Sequence, residues 1–596
     1  MRNEQYALSF NDGLWYRAYR YFGCHCTDGG FIFRTWAPRA EKAFIVGSFN
    51  DWGEAHPMSR VAGTDVWEGF VSRDVAELGD LYKLKFVADG NEIYKADPFA
   101  AYSGLWPESA SRVFPLPEKK WRDRCWMESR KNNFLGEKAR KQPISIYELH
   151  IPSWKRRSDG CILSYTELAD HLAPYLLQMG YTHVEIMEPF EAVNMKKSCF
   201  YAFSSVHGTP TDFMEFVDSM HRAGIGVILD WNICEFSVTE HSLSGFDGYS
   251  LYTDIDSSSV SGRFDLSSRV AQSFLISNAL YLADVFHIDG LRVEDLGAVL
   301  RNGKGRLDRG AVSLIRKLNG VMRDYYPDVM MITDDLFGKG AVTSSAADGL
   351  GFTFKWDSVC TRDTLAYASV ELNERAMHTS ELSAPLKHAF GEASVLTLTH
   401  ADVVSGRSSF MARMPGNYDE RFAGNRVFFT YMMTRPGKKM RFMGSEIGQF
   451  DEWDRFGEIQ WFLLDYEKHA QLQLYLARLG QIYLDTPALW EQDCIPGGFS
   501  LDSAQGGVFA YRRFDSAGGE VAVALNFTPY RLCKYQLGVD HGGTWEEIIS
   551  SDSSDFGGSG VENGTVTAVQ SGSAGKPYSL TVDLPPLGAV VLKYTK

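Results

Sequence analysis

The segment His287-Ile288-Asp289-Gly290-Leu291-Arg292-Val293-Glu294 is predicted to lie in a buried β-strand that ends in an arginine and a carboxylate. Other runs of the chain show the same strand pattern, and helical patterns lie between most of them. The predicted strands cover 144–150, 183–187, 226–231, 286–294, 330–335, 351–356, 394–400 and 440–446. This alternation of strands and helices favours a (β/α)8 TIM barrel of the α/β class, and a doubly wound open sheet is the alternative.

One helix of the predicted barrel carries a clear start signal. Ser164 followed by Glu167 matches the pattern of a capping box, in which each residue satisfies a backbone N–H of the other. Leu168, Leu172 and Leu176 then repeat at helical spacing. We therefore expect a helix that begins after Ser164 and buries its leucine face.

Two all-β domains are predicted to flank the barrel. Residues 1–112 contain short alternating strands and polar turns, which predict an N-terminal β-sandwich. Residues 491–596 return to strand patterns broken by turns rich in glycine and proline, which predict a second β-sandwich. The charged stretch 113–143 is predicted to be a connector, and 144–490 is predicted to form the barrel.

The composition limits the classes of partner. The net charge of −15 argues against nucleic acid and anionic membrane, and a neutral polysaccharide is compatible with it. No stretch approaches the roughly 18 apolar residues of a membrane span, and the polar start lacks a signal-peptide pattern. Nine scattered cysteines are expected to be reduced thiols of a cytoplasmic protein. Cys24-His25-Cys26 lacks a second pair at ligand spacing, so neither a metal nor another cofactor is expected.

Polar side chains end the predicted strands, which is where the active sites of such barrels form. They are Asp230 with Glu235, Arg292 with Glu294, Asp334 with Asp335, His400 with Asp402, and Glu446. Paired carboxylates at a barrel mouth suit glycoside chemistry, in which one attacks the anomeric carbon and the other protonates the leaving oxygen. Solvated loops or a magnesium site would give the same pattern, so the residues alone leave these alternatives open.

Motifs over nearly the whole chain resemble those of 1,4-α-glucan branching enzymes of the α-amylase superfamily. Besides 287–294, they are Tyr147-Glu148-Leu149-His150, Gly226-Val227-Ile228-Leu229-Asp230-Trp231, 349–356, Arg435-Pro436-Gly437-Lys438-Lys439 and 442–449. Trp36-Ala37-Pro38 paired with 47–52 is similar to the carbohydrate-binding module that precedes the barrel of those enzymes. The resemblance implies an α-glucan ligand such as glycogen or starch. It makes Trp52, Trp67 and Trp106 candidates for a carbohydrate platform, with core or interdomain packing as the alternative for each.

Departures from the family pattern fall on the positions that the resemblance assigns to catalysis. The nucleophile aspartate is replaced by Glu294, the general-acid glutamate by Asp334, and the third carboxylate by Ala401. The sugar-binding positions of the family correspond to Asp230, Arg292 and His400, which are retained, and to Glu235 and Met195, which replace a histidine and a stacking tyrosine.

These substitutions predict a loss of turnover. One methylene more or less moves carboxylate oxygens by about 1.5 Å, and a misplacement of about 1 Å can cost 10²-fold in rate. Ala401 has no group that could hold sugar hydroxyls in the transition state. We therefore expect a glucan-binding protein with little or no activity, acting as a scaffold or as the partner of an active paralogue. The alternative is an active branching enzyme or α-glucan hydrolase that uses Glu294 and Asp334.

Overall fold

The computed structural model describes residues 3–105, 109–193, 196–253, 261–302, 305–334, 341–346, 348–387, 390–404 and 406–595. In these ranges the chain forms an N-terminal pair of antiparallel sheets, a closed barrel of eight parallel strands and a C-terminal all-β region. The predicted (β/α)8 barrel with flanking β-sandwiches is confirmed. The open-sheet alternative is wrong, because the eighth strand pairs with the first.

The N-terminal region begins with a helix, α1 (Asn3–Asn11), where the sequence analysis predicts only short strands. That part of the prediction is wrong because Ala7 and Phe10, one helical turn apart, are both buried. The strands are β1 (Gly23–Thr27), β2 (Gly30–Trp36), β3 (Lys42–Gly47), β4 (Ser59–Arg60), β5 (Val66–Ser72), β6 (Leu81–Ala88), β7 (Asn91–Lys95) and β8 (Ser111–Arg112). One sheet has the order β1-β2-β5-β4, and the other has the order β3-β6-β7 with β8 beside β6.

The segment predicted as a connector, 113–143, is anchored to the barrel. It contains α2 (Arg124–Asn133) and a 3-10 turn over Gly136–Lys141. Arg130 of α2 is buried, and its guanidinium lies 3.0 Å from a carboxylate oxygen of Asp289 and 3.0 Å from one of Asp328. Both aspartates precede barrel strands, so these ion pairs hold α2 against the amino ends of the strands.

The barrel strands all run parallel and close into a ring. The elements are β9 (Ser145–Leu149), α3 (Ile151–Trp154), α4 (Tyr165–Gln178), β10 (His183–Ile186), β11 (Ala192–Val193), β12 (Lys196–Lys197), α5 (Pro210–Arg222), β13 (Gly226–Trp231), β14 (Glu235–Ser237), β15 (Ser261–Arg263), α6 (Arg269–Phe286), β16 (Gly290–Val293), α7 (Leu296–Val299), α8 (Arg309–Tyr325), β17 (Met330–Thr333), β18 (Phe354–Trp356), α9 (Ser358–Ala368), α10 (Thr379–Lys387), β19 (Ser394–Leu396), α11 (Phe410–Arg413), α12 (Tyr418–Thr434), β20 (Lys438–Phe442) and α13 (Glu467–Asp485). The ring order is β9-β10-β13-β16-β17-β18-β19-β20, with β20 beside β9. This arrangement places the carboxyl ends of all the barrel strands at one mouth.

The capping box predicted for α4 is present. The Ser164 hydroxyl accepts the N–H of Glu167, and the Glu167 carboxylate accepts the N–H of Ser164 at 2.9 Å. Leu168, Leu172 and Leu176 are each 0% exposed, as the periodicity predicts. Local sequence signals are therefore sufficient for this helix and for the face that it buries.

The C-terminal region is a second all-β unit. Its strands are β21 (Phe499–Gln505), β22 (Val508–Phe514), β23 (Glu520–Asn526), β24 (Leu532–Val539), β25 (Gly543–Ser550), β26 (Thr565–Ala568), β27 (Tyr578–Leu584) and β28 (Gly588–Tyr594). A six-stranded sheet has the order β21-β22-β23-β28-β25-β26, and β24 pairs with β27. Trp545, Leu537 and Val582 lie in the core that joins the two sheets.

Three further properties of the structure concern its cysteines, its helices and its potential metal ligands. All nine cysteines are free thiols. No helix within the described ranges is long and apolar enough to cross a membrane. In the same ranges, no group of three histidine, cysteine, aspartate or glutamate side chains is placed to hold a metal ion.

Candidate active site

Polar residues at the carboxyl ends of three neighbouring strands meet at one side of the barrel mouth. Asp230 on β13 stands beside Arg292 on β16 in the parallel register. Glu294 directly follows β16, and Asp334 directly follows β17. The structure therefore brings together these residues, which the sequence analysis assigns to one site.

Arg292 is the centre of an ion-pair cluster. Its guanidinium nitrogens approach carboxylate oxygens of Asp230 at 2.5 Å, Asp334 at 3.2 Å and Glu294 at 3.6 Å. A further carboxylate, Glu185 on β10, has Oε1 3.0 Å from Arg292 Nε, although within the described part of the chain neither oxygen of Glu185 has a hydrogen bond of acceptable geometry. One buried cation, 4% exposed, therefore faces four acidic side chains.

Burial and repulsion by neighbouring carboxylates raise the pKa of three acids of this cluster, Glu294, Asp334 and Glu185. Burial, reinforced by the negative charge of Asp230, raises the pKa of Glu294 to about 7 against the opposing charge of Arg292. Burial also raises the pKa of Asp334 and raises that of Glu185 well above its usual range. Near neutral pH, Glu294 is therefore protonated in a large share of the molecules, and a protonated carboxyl is a poor nucleophile.

Both oxygens of Asp334 accept hydrogen bonds from the protein. Oδ1 accepts from Arg292 at 3.2 Å, and Oδ2 accepts from the backbone N–H of Asp295 at 2.6 Å. Asp295 has a left-handed backbone conformation and caps α7, which fixes the direction of its N–H. A general acid must present its proton to the leaving oxygen. Asp334 is instead oriented toward the carboxyl end of the neighbouring strand, β16, which supplies both of these donors.

The loop after β19 forms a 3-10 turn over His400–Asp402. Ala401, which the sequence analysis predicts at the position of the family's third carboxylate, is exposed in this turn. Asp402 does not replace that carboxylate, because its side chain accepts the N–H and the hydroxyl of Thr399 at 2.9 and 2.8 Å. The side chain of His400 is 29% exposed, and its Nδ1 lies 2.7 Å from Oε1 of Glu148 on β9.

The remaining residues predicted to bind sugar are placed differently. Glu235 is exposed on β14, opposite Arg263 of β15. Met195 and Trp106 lie outside the described residues. The cluster around Arg292 therefore contains the predicted carboxylates of β13, β16 and β17, whereas Glu235 stands on a separate two-stranded sheet.

The two described tryptophans of the predicted platform differ in exposure. Trp67 on β5 is 6% exposed, and its Nε1 donates to the carbonyl oxygen of Ala37 at 3.0 Å. Its assignment to the platform is therefore corrected: the ring lies in the core and has no free face for a sugar. Trp52 is 40% exposed, with Lys83 Nζ 5.7 Å from the ring centroid.

The sequence analysis misses three charged residues near the mouth, Glu148, Glu185 and Lys197. The two glutamates are 0% exposed on strands in which every residue is buried, and a carboxylate inside a predicted buried strand is the signal that could have found them. Lys197 on β12 has a buried Nζ that finds no hydrogen-bond partner among the described residues and lies 3.8 Å from the ring centroid of Phe200. Burial lowers its pKa well below the usual value. Its ammonium packs against the rings of Phe190 and Phe200, an arrangement that the sequence pattern does not reveal.

Comparison with known families relates both flanking regions to the α-amylase group. Residues 21–100 match carbohydrate-binding module 48, described as the isoamylase N-terminal domain. Residues 500–595 match the alpha amylase C-terminal all-beta domain. The first match covers the sandwich that carries Trp52.

Over its full length the chain is similar to proteins named 1,4-alpha-glucan branching enzyme GlgB. The protein from Desulfitobacterium hafniense is 37% identical, with 98% of this chain and 96% of that protein covered. The protein from Albidiferax ferrireducens is 39% identical, with 100% of this chain and 99% of that protein covered.

Two solved structures share the fold. A pullulanase from Anoxybacillus sp. LM18-11 complexed with maltotetraose superposes with a TM-score of 0.72 over 98% of this chain and 89% of that chain. A putative alpha amylase from Salmonella typhimurium superposes with a TM-score of 0.70 over 96% of this chain and 100% of that chain. At 14% and 15% identity, these similarities indicate the fold alone.

Proposed function

Because this chain belongs to the 1,4-α-glucan branching enzyme family, we propose that it binds α-1,4-glucan and does not form branches at a useful rate. The observation that carries the proposal is that Glu294, Asp334 and Ala401 occupy the positions at which the resemblance predicts the family's nucleophile aspartate, general-acid glutamate and third carboxylate. The ligand is inferred from the names of the full-length relatives and from the match to carbohydrate-binding module 48.

Groups suited to sugar hydroxyls are still present at the mouth. Asp230 and Arg292 are ion-paired and held in place, and His400 is fixed by Glu148. Charged groups form hydrogen bonds with hydroxyls that are stronger than those of neutral partners. Binding of a glucan chain at this mouth therefore does not require the substituted carboxylates.

Turnover requires groups that act only as the transition state forms. Glu294 is one methylene longer than the family's aspartate and is partly protonated near neutral pH. Asp334 has both oxygens engaged by Arg292 and Asp295, and Ala401 supplies no carboxylate. The loss of one positioned acid or base typically costs about 10²–10⁴-fold. The combined loss is large even though such effects are not additive.

The alternative is an active branching enzyme or an α-glucan hydrolase that uses Glu294 and Asp334. It is favoured by similarity to named branching enzymes over 98% of the chain. Under the main proposal, an active branching-enzyme paralogue is a suitable partner, since both proteins would occupy the same polysaccharide. We also propose a cytoplasmic location, where the nine free cysteines would stay reduced.

The purified protein is expected to co-sediment with glycogen while the iodine spectrum of amylose, the number of reducing ends and the debranched chain profile stay unchanged. The variant Glu294→Gln is the control, because it replaces the carboxylate at the nucleophile position by an amide of almost the same shape. Branching or hydrolysis that is present in the natural chain and lost in Glu294→Gln would contradict the proposal and support the enzyme. Activity that survives in both samples would identify a contaminating enzyme.

Trp52→Ala is expected to weaken the binding of glycogen by about 5- to 30-fold, because aromatic contacts at binding sites commonly contribute about 1–2 kcal/mol. Phe70→Ala is the matched control. Phe70 is 51% exposed on β5, in the other sheet of the same sandwich. Co-sedimentation over a range of glycogen concentrations measures both affinities. Equal affinity of Trp52→Ala and the natural chain would remove Trp52 from the proposed platform.

A further inference from the structure

Glu148 is a fully buried carboxylate whose only side-chain hydrogen-bond partner within the described residues is His400. It stands on β9, where all five strand residues are buried, and is itself 0% exposed. Oε2 accepts the backbone N–H of His400 at 2.9 Å, and Oε1 lies 2.7 Å from Nδ1 of the same residue. A buried carboxylate is costly unless it is paired, and this one is paired twice with a residue at the barrel mouth.

The charges around His400 come from several elements of the barrel. Glu148 faces it from β9, Asp230 from β13 and Arg292 from β16. His150, which follows β9, has its pKa lowered to about 3, first by burial, and is therefore neutral. Burial also acts to lower the pKa of His400, but the charge and hydrogen bond of Glu148 outweigh burial and raise it.

The contact with Glu148 determines which proton His400 can offer to a ligand. A carboxylate accepts hydrogen bonds only, so Nδ1 must carry a proton at this contact. In the neutral ring, Nε2 is then an acceptor, and it becomes a donor only when the imidazole is doubly protonated. The side chain of His400 is 29% exposed, and Nε2 is the ring nitrogen left for a ligand.

We propose that Glu148 is a positioning residue that holds His400 as an imidazolium, with Nε2–H as the donor to a hydroxyl of the bound glucan. This inference rests on the proposed glucan binding and adds its pH dependence. The imidazolium is present below the pKa of His400, so this hydrogen bond is lost as the pH rises through that pKa. Affinity for a maltooligosaccharide is expected to fall about tenfold across this range, which corresponds to the loss of one charged hydrogen bond.

The test combines a titration of His400 with a binding profile. Protein labelled with ¹³C at histidine Cε1 reports the pKa of His400 by NMR, and His400→Asn assigns the signal. Calorimetry with maltoheptaose gives Kd between pH 5.5 and 8.5. Glu294 also has a pKa of about 7, so the inflection in Kd is assigned to His400 only where it coincides with the NMR titration.

Glu148→Gln is expected to lower the NMR pKa of His400 by at least about 1, and to shift the binding inflection down by the same amount. The matched control is Glu446→Gln. Glu446 is also 0% exposed and accepts hydrogen bonds from the hydroxyls of Tyr147 and Tyr175 at 2.7 Å each. Its variant loses an equally buried carboxylate and should leave the pKa of His400 unchanged. Glu148→Asp, which keeps the charge, should retain part of the raised pKa.

An unchanged pKa in Glu148→Gln, or an equal decrease in Glu446→Gln, would overturn the inference. If Glu148→Gln does not fold, measurements on the natural chain test the inference. A pKa of His400 at or below the ordinary value of about 6.5 would overturn the inference. A binding inflection that does not coincide with the NMR titration of His400 would also overturn it. A natural chain that binds no maltoheptaose at any pH would refute the proposed function. The NMR titration would still test the pairing of Glu148 with His400.

Discussion

The variant Glu294→Asp/Asp334→Glu/Ala401→Asp is expected to form α-1,6 branches at least about 10²-fold faster than the natural chain. Asp334→Glu extends the acid beyond its present hydrogen bond to the Asp295 N–H. Glu294→Asp withdraws the other carboxylate by one methylene, about 1.5 Å. Ala401→Asp adds the missing carboxylate at an exposed position that can accept a larger side chain. Branching is measured as loss of amylose–iodine absorbance and confirmed by chain-length analysis after debranching.

Two further variants identify which substitution limits the rate. Glu294→Asp alone is expected to stay at the level of the natural chain, because Ala401 still offers nothing that binds more strongly in the transition state. Replacing Ala401→Asp by Ala401→Asn in the triple variant keeps the size of the new side chain and removes its charge. Recovery by Glu294→Asp alone would show that the nucleophile position limits turnover. A triple variant without gain would shift attention to other departures such as Glu235.

Asp289→Ala is expected to reduce the free energy of unfolding of the barrel by about 3–5 kcal/mol, the typical cost of breaking a buried ion pair. The Asp289 carboxylate accepts the N–H of Val227 at 2.6 Å and the indole N–H of Trp126 at 2.8 Å. Its oxygens also lie 2.9 Å from His221 Nε2 and 3.0 Å from Arg130 Nη1. Removal of the carboxylate leaves these buried or half-buried donors and the Arg130 charge without this partner. Urea denaturation followed by tryptophan fluorescence measures the loss.

Glu128→Ala is the control for Asp289→Ala. It also removes one acid of an ion pair, but Arg124 and Glu128 are 88% and 61% exposed in their side chains. An exposed pair one helical turn apart contributes only about 0.3–0.5 kcal/mol, because water and salt screen it. A similar loss of stability in both variants would show that burial does not determine the contribution of the Asp289 network.

Comparison of the natural chain with Asp289→Ala also tests how the stability contributed by the Asp289 network depends on pH. Burial acts to raise the pKa of Asp289, but the charges of His221 and Arg130 outweigh it and hold the pKa well below its usual range. The stability that the Asp289 carboxylate contributes is therefore present above about pH 4 and is lost as the pH falls further. Burial acts to lower the pKa of His221, but Asp289 and Asp123 outweigh burial and raise it. The stability that protonated His221 contributes is therefore lost as the pH rises above about 6.5. The stability difference between the natural chain and Asp289→Ala is expected to be largest between these limits.

Some features of the site follow from the sequence because strand ends can be located by pattern. Asp230, Arg292 and Glu294 close predicted strands, and parallel strands bring such ends to one mouth. The helix at α1 is missed, because the part of it whose burial is described, 5–11, provides only two buried positions as a periodic signal. Lys197 is missed for another reason: its ammonium packs against the rings of Phe190 and Phe200, and its strand β12 packs against β14, which no pattern within β12 predicts.

The sequence by itself determines the alternation of strands and helices, the capping of α4 and the identity of the side chains at the strand ends. These are local properties, set by hydrophobic periodicity and by hydrogen bonds between near neighbours. Only the tertiary structure decides that Glu294 shares one guanidinium with three other carboxylates, and that Asp334 is held by the N–H of Asp295. The proton affinity of a carboxylate depends on burial and on charges within a few ångströms. Most of those charges come from other strands, so their distances exist only after the barrel has closed.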